Sequence, residues 1–303
     1  MNQTYLETAR MLIQVAPYVF TDNTFALKGG TAINLFVRDM PRLSVDLDLV
    51  FPDYSTTRDE ALASINSAFQ QTSERLSKRG YHAKLAGKEG EEAKLLVRRD
   101  SIAIKIEANY VTRGTVTPVR MASLSSQARA TLRADLEIPI VSLEDLYGSK
   151  LVAALDRQHP RDLFDVLQLF AHEGITPEIR RAFVVYLASH NRPVHEVLNP
   201  TLHDVSLEFE SAFKGMTSDP VGLEDLLDAR ERMVKTLQSS LDNNERDFLL
   251  SLVKNEPRWD LLEIPHVERL PAIQWKLQNL ERLRAANRAK YEEQHEMLAS
   301  LFR

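Results

Sequence analysis

The stretch that most constrains the fold of this chain spans residues 25–51 and reads FALKGGTAINLFVRDMPRLSVDLDLVF. Polar and apolar residues alternate at its end, from Ser44 to Val50. Such alternation predicts a β-strand with one buried face, because successive side chains of a strand point to opposite sides. Ser44, Asp46 and Asp48 would then stand together on the polar face, while the residues between them enter the core.

Two aspartates held side by side repel each other, and a divalent cation that prefers hard oxygen ligands, such as Mg²⁺, removes that repulsion. Upstream of them, Gly29-Gly30-Thr31 follows a short apolar strand and opens a short helical segment. Adjacent glycines let a ligand approach the main chain, whose N–H groups suit phosphate. A phosphate cradle before a two-aspartate strand predicts a nucleoside triphosphate as ligand. A solvated strand face after an ordinary strand–turn–helix is the alternative.

Length and composition limit the remaining possibilities. A chain of 303 residues allows two domains or one large one. Cysteine is absent, which excludes disulfides, thiolate zinc sites and a cysteine nucleophile, and favours a reducing cytoplasm. We expect no membrane span, because no apolar run is long enough, and no secretory signal, because the N-terminus has no basic patch followed by an apolar core. A net charge of −5 argues against bulk coating of nucleic acid.

A second acidic candidate comes from the region after a predicted helix at 57–79. Three strand candidates follow that helix, at 81–86, 92–98 and 101–111. In the third, Lys105 and Glu107 share the face opposite the isoleucines. Glu107 is a candidate third carboxylate beside the aspartate strand, and a solvated glutamate paired with Lys105 fits the same pattern.

The region 98–133 is basic in a chain that is acidic overall. It holds seven basic and two acidic residues, a local net charge of +5. If the basic side chains share one face, they suit the phosphates of a nucleic acid. The alternative is a scatter of solvated arginines. The basic residues are Arg98, Arg99, Lys105, Arg113, Arg120, Arg129 and Arg133.

The next motif lies on two predicted helices. The first spans 143–157 and carries Lys150 seven residues before Arg157, so both fall on one face. Proline then starts the second helix, in which Asp162 and Asp165 share a face. Acids in a first helical turn often serve only the helix dipole. Beyond residue 166 the pattern is helical to the end, with segments near 177–189, 221–240, 244–254 and 268–301.

Four motifs in this order resemble the AbiEii/AbiGii family of nucleotidyltransferase-like toxins, which is associated with phage defence and type IV toxin–antitoxin systems. The resemblance covers roughly residues 20–170, and the C-terminal half carries no matching motif. The motifs are Lys28-Gly29-Gly30-Thr31-Ala32, Arg42-x-Ser44-x-Asp46-x-Asp48, Lys150-x-x-Ala153-Ala154-x-x-Arg157 and Arg161-Asp162-x-x-Asp165.

The resemblance implies an α+β fold: a DNA polymerase β-like nucleotidyltransferase domain, with a mixed sheet flanked by helices, followed by a helical C-terminal domain. We place the first domain at 1–170 and the second at 171–303. The resemblance also implies Mg²⁺ held by Asp46 and Asp48, with Glu107 where the wider superfamily has a third strand carboxylate.

The resemblance further implies a set of nucleotide-binding residues: Lys28, Gly29, Gly30, Thr31, Ser44 and Lys150. The superfamily usually has Gly-Ser where this chain has Gly30-Thr31, and threonine keeps the hydroxyl. Either Asp162 or Asp165 matches the acid of the later motif, and their spacing does not separate them.

The activity implied is transfer of a nucleoside monophosphate from an NTP to a hydroxyl, with pyrophosphate released. By resemblance, the expected acceptor is RNA, the 3′ end of tRNA, so that translation is blocked. A cognate antitoxin is a possible partner. Two alternatives stay open: nucleotidylylation of a partner protein, and NTP binding without catalysis.

Overall fold

The computed structural model describes residues 3–86 and 92–303. The chain divides into two compact units. We call the first, Met1–Ser142 with Lys214–Pro220, the sheet unit. The second, Leu143–Phe213 with Val221–Arg303, is the helical unit.

The sheet unit contains a seven-stranded mixed sheet, which confirms the predicted architecture. Its strand order is β3-β4-β5-β2-β1-β7-β6. Two pairs are parallel, β2 with β5 and β1 with β7, and the other pairs are antiparallel. The strands are β1 (Ala26–Lys28), β2 (Asp46–Val50), β3 (His82–Ala86), β4 (Glu92–Arg99), β5 (Ile102–Asn109), β6 (Arg120–Ser123) and β7 (Glu137–Ile140).

Helices α1 and α3 pack against strands β3, β4 and β5. The alternating pattern turns the apolar residues of these strands toward the helices, so that Leu95 and Ile106 lie in the core, and Leu47 of β2, opposite Ile106, lies there too. A π-helical turn, Ile33–Val37, continues α2. The helices of this unit are α1 (Gln3–Val19), α2 (Gly29–Ala32), α3 (Arg58–Ser77) and α4 (Ser126–Leu132).

The helical unit is built around the contact of α5 with α7. A Cβ atom on Gly148 would lie 2.8 Å from the backbone of Ala182 and Phe183, so only glycine permits this close approach. The Tyr186 hydroxyl donates to the buried Asp145 carboxylate at 2.6 Å and joins the same two helices. The helices are α5 (Leu143–Arg157), α6 (Pro160–Ala171), α7 (Pro177–Ala188), α8 (Val194–Leu198), α9 (Ser206–Ala212), α10 (Leu223–Ser240), α11 (Asn243–Val253), α12 (Pro271–Ala286) and α13 (Arg288–Leu301).

The compact units divide after Ser142, and α5 and α6 pack with α7 and α10 inside the helical unit. The boundary at residue 170 marks the end of the motifs, and as a functional boundary it stays a prediction. The single long helix expected over 268–301 is wrong. Asn287 has non-helical backbone angles there (φ −151°, ψ 85°), and its side chain caps α13 by accepting from the N–H of Lys290.

In the described part of the chain, no helix is both long enough and apolar enough to cross a bilayer.

Candidate active site

The aspartate strand is β2, and Asp46 and Asp48 lie half-buried on the same face of it. The sheet register sets their neighbours. Asp48 is opposite Lys28 on β1 and Glu107 on β5, while Asp46 is opposite Lys105. Directly paired residues share a sheet face, so two carboxylates, Asp48 and Glu107, are directly opposite each other here, with Lys28 beside the first of them.

The glycine pair lies directly against this strand. Gly29 has a φ of +72°, and a Cβ atom there would lie 2.5 Å from Oδ2 of Asp48. A Cβ on Gly30 would lie 2.6 Å from Nη2 of Arg42 and 3.4 Å from Oγ of Ser44. Since no L-side chain fits at Gly29 without moving the Asp48 carboxylate, the predicted glycine requirement has a concrete geometric cause.

Two hydroxyl groups connect the glycine segment to the aspartate strand. Oγ1 of Thr31 lies 2.8 Å from Oγ of Ser44 and 2.5 Å from the backbone oxygen of Asp46. Both side chains are buried, Thr31 with 1% of its surface exposed. In this arrangement the hydroxyls hold the start of β2 against α2. Their contact with phosphate stays a prediction.

Glu107 is already paired with two lysines. Its carboxylate lies 2.8 Å from Nζ of Lys105, as the alternative interpretation expects, and 3.1 Å from Nζ of Lys94. Burial raises the pKa of Glu107, but the hydrogen bonds and charges of the two lysines outweigh burial, so the pKa lies below its usual value. Its role as a third metal carboxylate stays a prediction.

The metal prediction depends on which carboxylates lie together. Within residues 3–86 and 92–303, no three or more His, Asp or Glu side chains are grouped so as to hold a metal ion. Mg²⁺, however, is commonly bound by one or two carboxylates together with substrate phosphates and waters. Asp46 and Asp48, on one face beside a glycine pair, fit that mode of binding.

The later motif forms a buried ionic cluster inside the helical unit. Nζ of Lys150 lies 2.8 Å from Oδ1 of Asp162 and 2.9 Å from Oδ2 of Asp165. Arg157 contacts both oxygens of Asp162, at 2.6 and 3.0 Å. Lys150 is 6% exposed, and both aspartates are more deeply buried. The cluster thus ties α5 to α6, with two cations against two carboxylates.

The pKa of Asp162 reflects this pairing. Burial raises that pKa, but the charges of Lys150 and Arg157 and their hydrogen bonds prevail and hold it well below its usual range. Asp162 is therefore more than a helix-dipole acid, the alternative considered from the sequence. Both aspartates contact Lys150, so which of them is essential stays open.

The basic stretch 98–133 does not form one surface. Arg98 and Arg99 are consecutive on β4 and point to opposite faces, and Arg99 stacks on Tyr81 at 5.1 Å. Arg113 is buried and donates to the backbone oxygen of Thr57. The period of a strand and the burial of one arginine separate these side chains.

Sequence reasoning missed two residues at this face. Lys94 reaches Glu107 across the sheet, and Arg42 is buried with its guanidinium beside Gly30. The strand predicted at 92–98 contains Lys94, but the register that brings it to Glu107 is not encoded in spacing. Arg42 stood inside a quoted motif without an assigned role.

A mixed sheet that carries paired aspartates against a glycine loop defines a nucleotidyltransferase-like protein. The family model described as nucleotidyl transferase AbiEii toxin, type IV toxin–antitoxin system, matches residues 10–279. The chain belongs to this family, and is thereby a nucleotidyltransferase toxin of the type IV class. No curated protein matches the sequence.

The fold is similar to that of MenT4, a nucleotidyltransferase toxin from Mycobacterium tuberculosis. The TM-score is 0.60 with 19% sequence identity, over 89% of this chain and 91% of that chain. At this identity the likeness concerns the fold alone.

Proposed function

We propose that this nucleotidyltransferase transfers a nucleoside monophosphate from an NTP to a hydroxyl on an RNA acceptor. The expected acceptor is the 3′ end of tRNA, whose modification would block translation. One observation carries the proposal: the Asp48 carboxylate lies over Gly29 so closely that a single methyl group would displace it. A sheet that needed only stability would not require a bare backbone at that point.

Phosphoryl transfer of this kind depends mainly on positioning and on neutralising charge. Asp46 and Asp48 would hold Mg²⁺, which would supply charge neutralisation at the triphosphate. The bare backbone at Gly29 and Gly30 would let the triphosphate approach the strand. Lys28, opposite Asp48 in the register, would add a positive charge beside the phosphates. Thr31 keeps the backbone of Asp46 in place through its hydroxyl.

The acceptor hydroxyl must also lose its proton. Among the acids of the motifs, Glu107 and Asp162 are the candidates to accept it, and both have pKa values below the usual range. A carboxylate with a lowered pKa holds a proton weakly, which makes it a poor general base. Both are therefore better suited to holding neighbouring cations, Lys105 and Lys94 for the first and Lys150 for the second.

Lys150 remains a proposed phosphate ligand. Its ammonium group lies against two buried carboxylates, which compete with a phosphate for its three N–H donors. A first role for Asp162 and Asp165 is then to fix the position of Lys150.

The direct test incubates the full chain with Mg²⁺, each labelled NTP in turn, and total RNA, followed by sizing and sequencing of the labelled product. Wild type should label RNA, and Asp46→Ala should not. Asp135→Ala removes an acid whose side chain is 82% exposed, and should label as wild type does. Equal labelling by wild type and Asp46→Ala would remove Asp46 from the chemistry.

The same assay separates the two alternative functions. Label that resists ribonuclease but not protease would indicate nucleotidylylation of a protein. NTP binding without release of pyrophosphate would indicate a non-catalytic module. The family implies a cognate antitoxin as partner, and we expect a cytoplasmic location, where an RNA acceptor would be met.

A further inference from the structure

Helices α1 and α3 pack on one face of β3, β4 and β5. The side chains on the other face are exposed or half-buried, so this face is open. We call it the open sheet face. Its members follow from the register and alternate with the buried residues of the same strands. The described side chains that define it are His82, Lys84, Ala86, Lys94, Leu96, Arg98, Ala103, Lys105, Glu107 and Asn109.

This face is positively charged. Four cations, Lys84, Lys94, Arg98 and Lys105, stand with one carboxylate, Glu107, among these described side chains, a net charge of +3. The chain as a whole has a net charge of −5. A concentration of positive charge against that background is a local feature of this surface and is not a consequence of composition.

The open sheet face is continuous with the aspartate strand. One row across the sheet runs from Asp46 to Lys105, Leu96 and Lys84. Strands lie about 4.8 Å apart, so the three steps from β2 to β3 span about 14 Å. At about 3.4 Å per stacked nucleotide, this length matches about four nucleotides of a single strand.

The side chains of the open sheet face suit contacts with the phosphates of a nucleic acid rather than with its bases. Its described side chains include no Phe, Tyr or Trp on which bases would stack, and its cations are exposed or half-exposed lysines and an arginine. Lysine and arginine bind phosphate without reading sequence. Lys94 and Lys105 also hold Glu107, whereas Lys84 and Arg98 lie on the strands farther from Asp46.

We propose that the open sheet face binds the phosphates of a single-stranded RNA segment that leads to the acceptor hydroxyl, through contacts that do not depend on its sequence. The inference rests on the proposed function, and it replaces the basic stretch 98–133 as the RNA-binding surface. Of that stretch, Arg98 and Lys105 belong to the face, joined by Lys84 and Lys94.

The test measures binding of the full chain, without NTP, to a 5′-labelled single-stranded RNA of twelve mixed nucleotides by fluorescence anisotropy over a range of salt concentrations. The double variant Lys84→Ala, Arg98→Ala removes two phosphate contacts. The slope of log K against log salt should become shallower by about 1.4, because each phosphate contact on a single strand contributes about 0.7. Affinity should fall alike for RNAs of different sequence.

The matched control is Lys78→Ala, Arg120→Ala. It also removes one exposed lysine and one exposed arginine from the sheet unit, but from positions outside the open sheet face. Its salt slope and affinity should equal those of wild type. The thermal unfolding temperature of both double variants should match that of wild type, because all four side chains are exposed. This measurement verifies that folded chains are being compared.

Transfer kinetics give a second measurement. The double variant at the open sheet face should raise KM for RNA and leave KM for the NTP unchanged. If the salt slope and the KM for RNA of that variant equal those of wild type, the inference is overturned. The proposed function still stands in that case, provided that wild type labels RNA. Binding of wild type to poly-glutamate as tightly as to RNA would overturn it in favour of an acidic protein partner. Absence of RNA labelling by wild type would end both.

Discussion

Replacing Gly29 with alanine tests the geometry on which the proposed function depends. The new Cβ would lie 2.5 Å from Oδ2 of Asp48, whereas ordinary contact begins at 3.4 Å, so the carboxylate must move by about 0.9 Å. A misplacement of about 1 Å in a reacting centre can reduce a rate by about 100-fold. The φ of +72° adds a conformational cost of about 1–2 kcal/mol for a residue with a Cβ.

Gly80→Ala separates these two effects. Gly80 has a φ of +80°, but nothing lies within 4 Å of the Cβ that alanine would add. In urea denaturation, the free energy of unfolding of both variants should therefore be about 1–2 kcal/mol lower than that of wild type, because both place alanine in the left-handed region. Only Gly29→Ala should lose transfer activity, by about 100-fold at saturating substrate.

Single-turnover transfer of labelled NMP, with each variant held at a temperature where it is fully folded, compares the two rates directly. If Gly29→Ala transfers NMP at the wild-type rate, the position of the Asp48 carboxylate does not matter to the reaction. An equal loss of transfer in Gly80→Ala would show that backbone strain, and not the displaced carboxylate, is responsible. Either result would refute the reasoning.

Three further predictions concern the helical unit. Gly148→Ala should cost about 1–3 kcal/mol in urea denaturation, because the added methyl enters the backbone of α7, while Ser149→Ala on the same helix should cost less than about 1 kcal/mol. Lys150→Met should cost about 3–5 kcal/mol, since it leaves buried carboxylates without their shared cation, and a loss below about 1 kcal/mol would contradict the cluster. Burial lowers the pKa of Lys276 to about 8, so the unfolded chain binds more protons between pH 8 and about 10.4. The free energy of unfolding should therefore gain up to about 3 kcal/mol from Lys276 as pH rises through that window, and Lys276→Met should remove this gain.

Local patterns were sufficient for the aspartate strand and the glycine segment. The alternation around Asp46 and Asp48 gave one shared face, and the structure has it. Periodicity likewise gave most helices, including the start of α6 at Pro160. These features depend on residues a few positions apart, where spacing and geometry are directly linked.

Features set by distant residues were not predictable. The contact of Lys94 with Glu107 requires the β4–β5 register, and the pairing of Lys150 with both aspartates requires the angle between α5 and α6. The break in the C-terminal helix at Asn287 was missed because asparagine is only a weak signal against a continuing helical pattern. The burial of Arg113 similarly depends on a loop that approaches Thr57 from elsewhere in the chain.

The structure also changes what the paired aspartates imply. Their repulsion was the reason to expect a cation from the sequence. The charges of Asp46 and Asp48 both raise the pKa of Lys105, however, and Lys28 is opposite Asp48. Lysines therefore already relieve part of the repulsion that a metal was expected to relieve. Paired acids alone would then fit a sheet face on which neighbouring lysines neutralise the carboxylates. This charge balance does not explain why the Asp48 carboxylate approaches a backbone that must be bare at Gly29, because neutralisation by lysines needs no glycine. The case for a nucleotide site thus depends on Gly29 more than on the acids themselves.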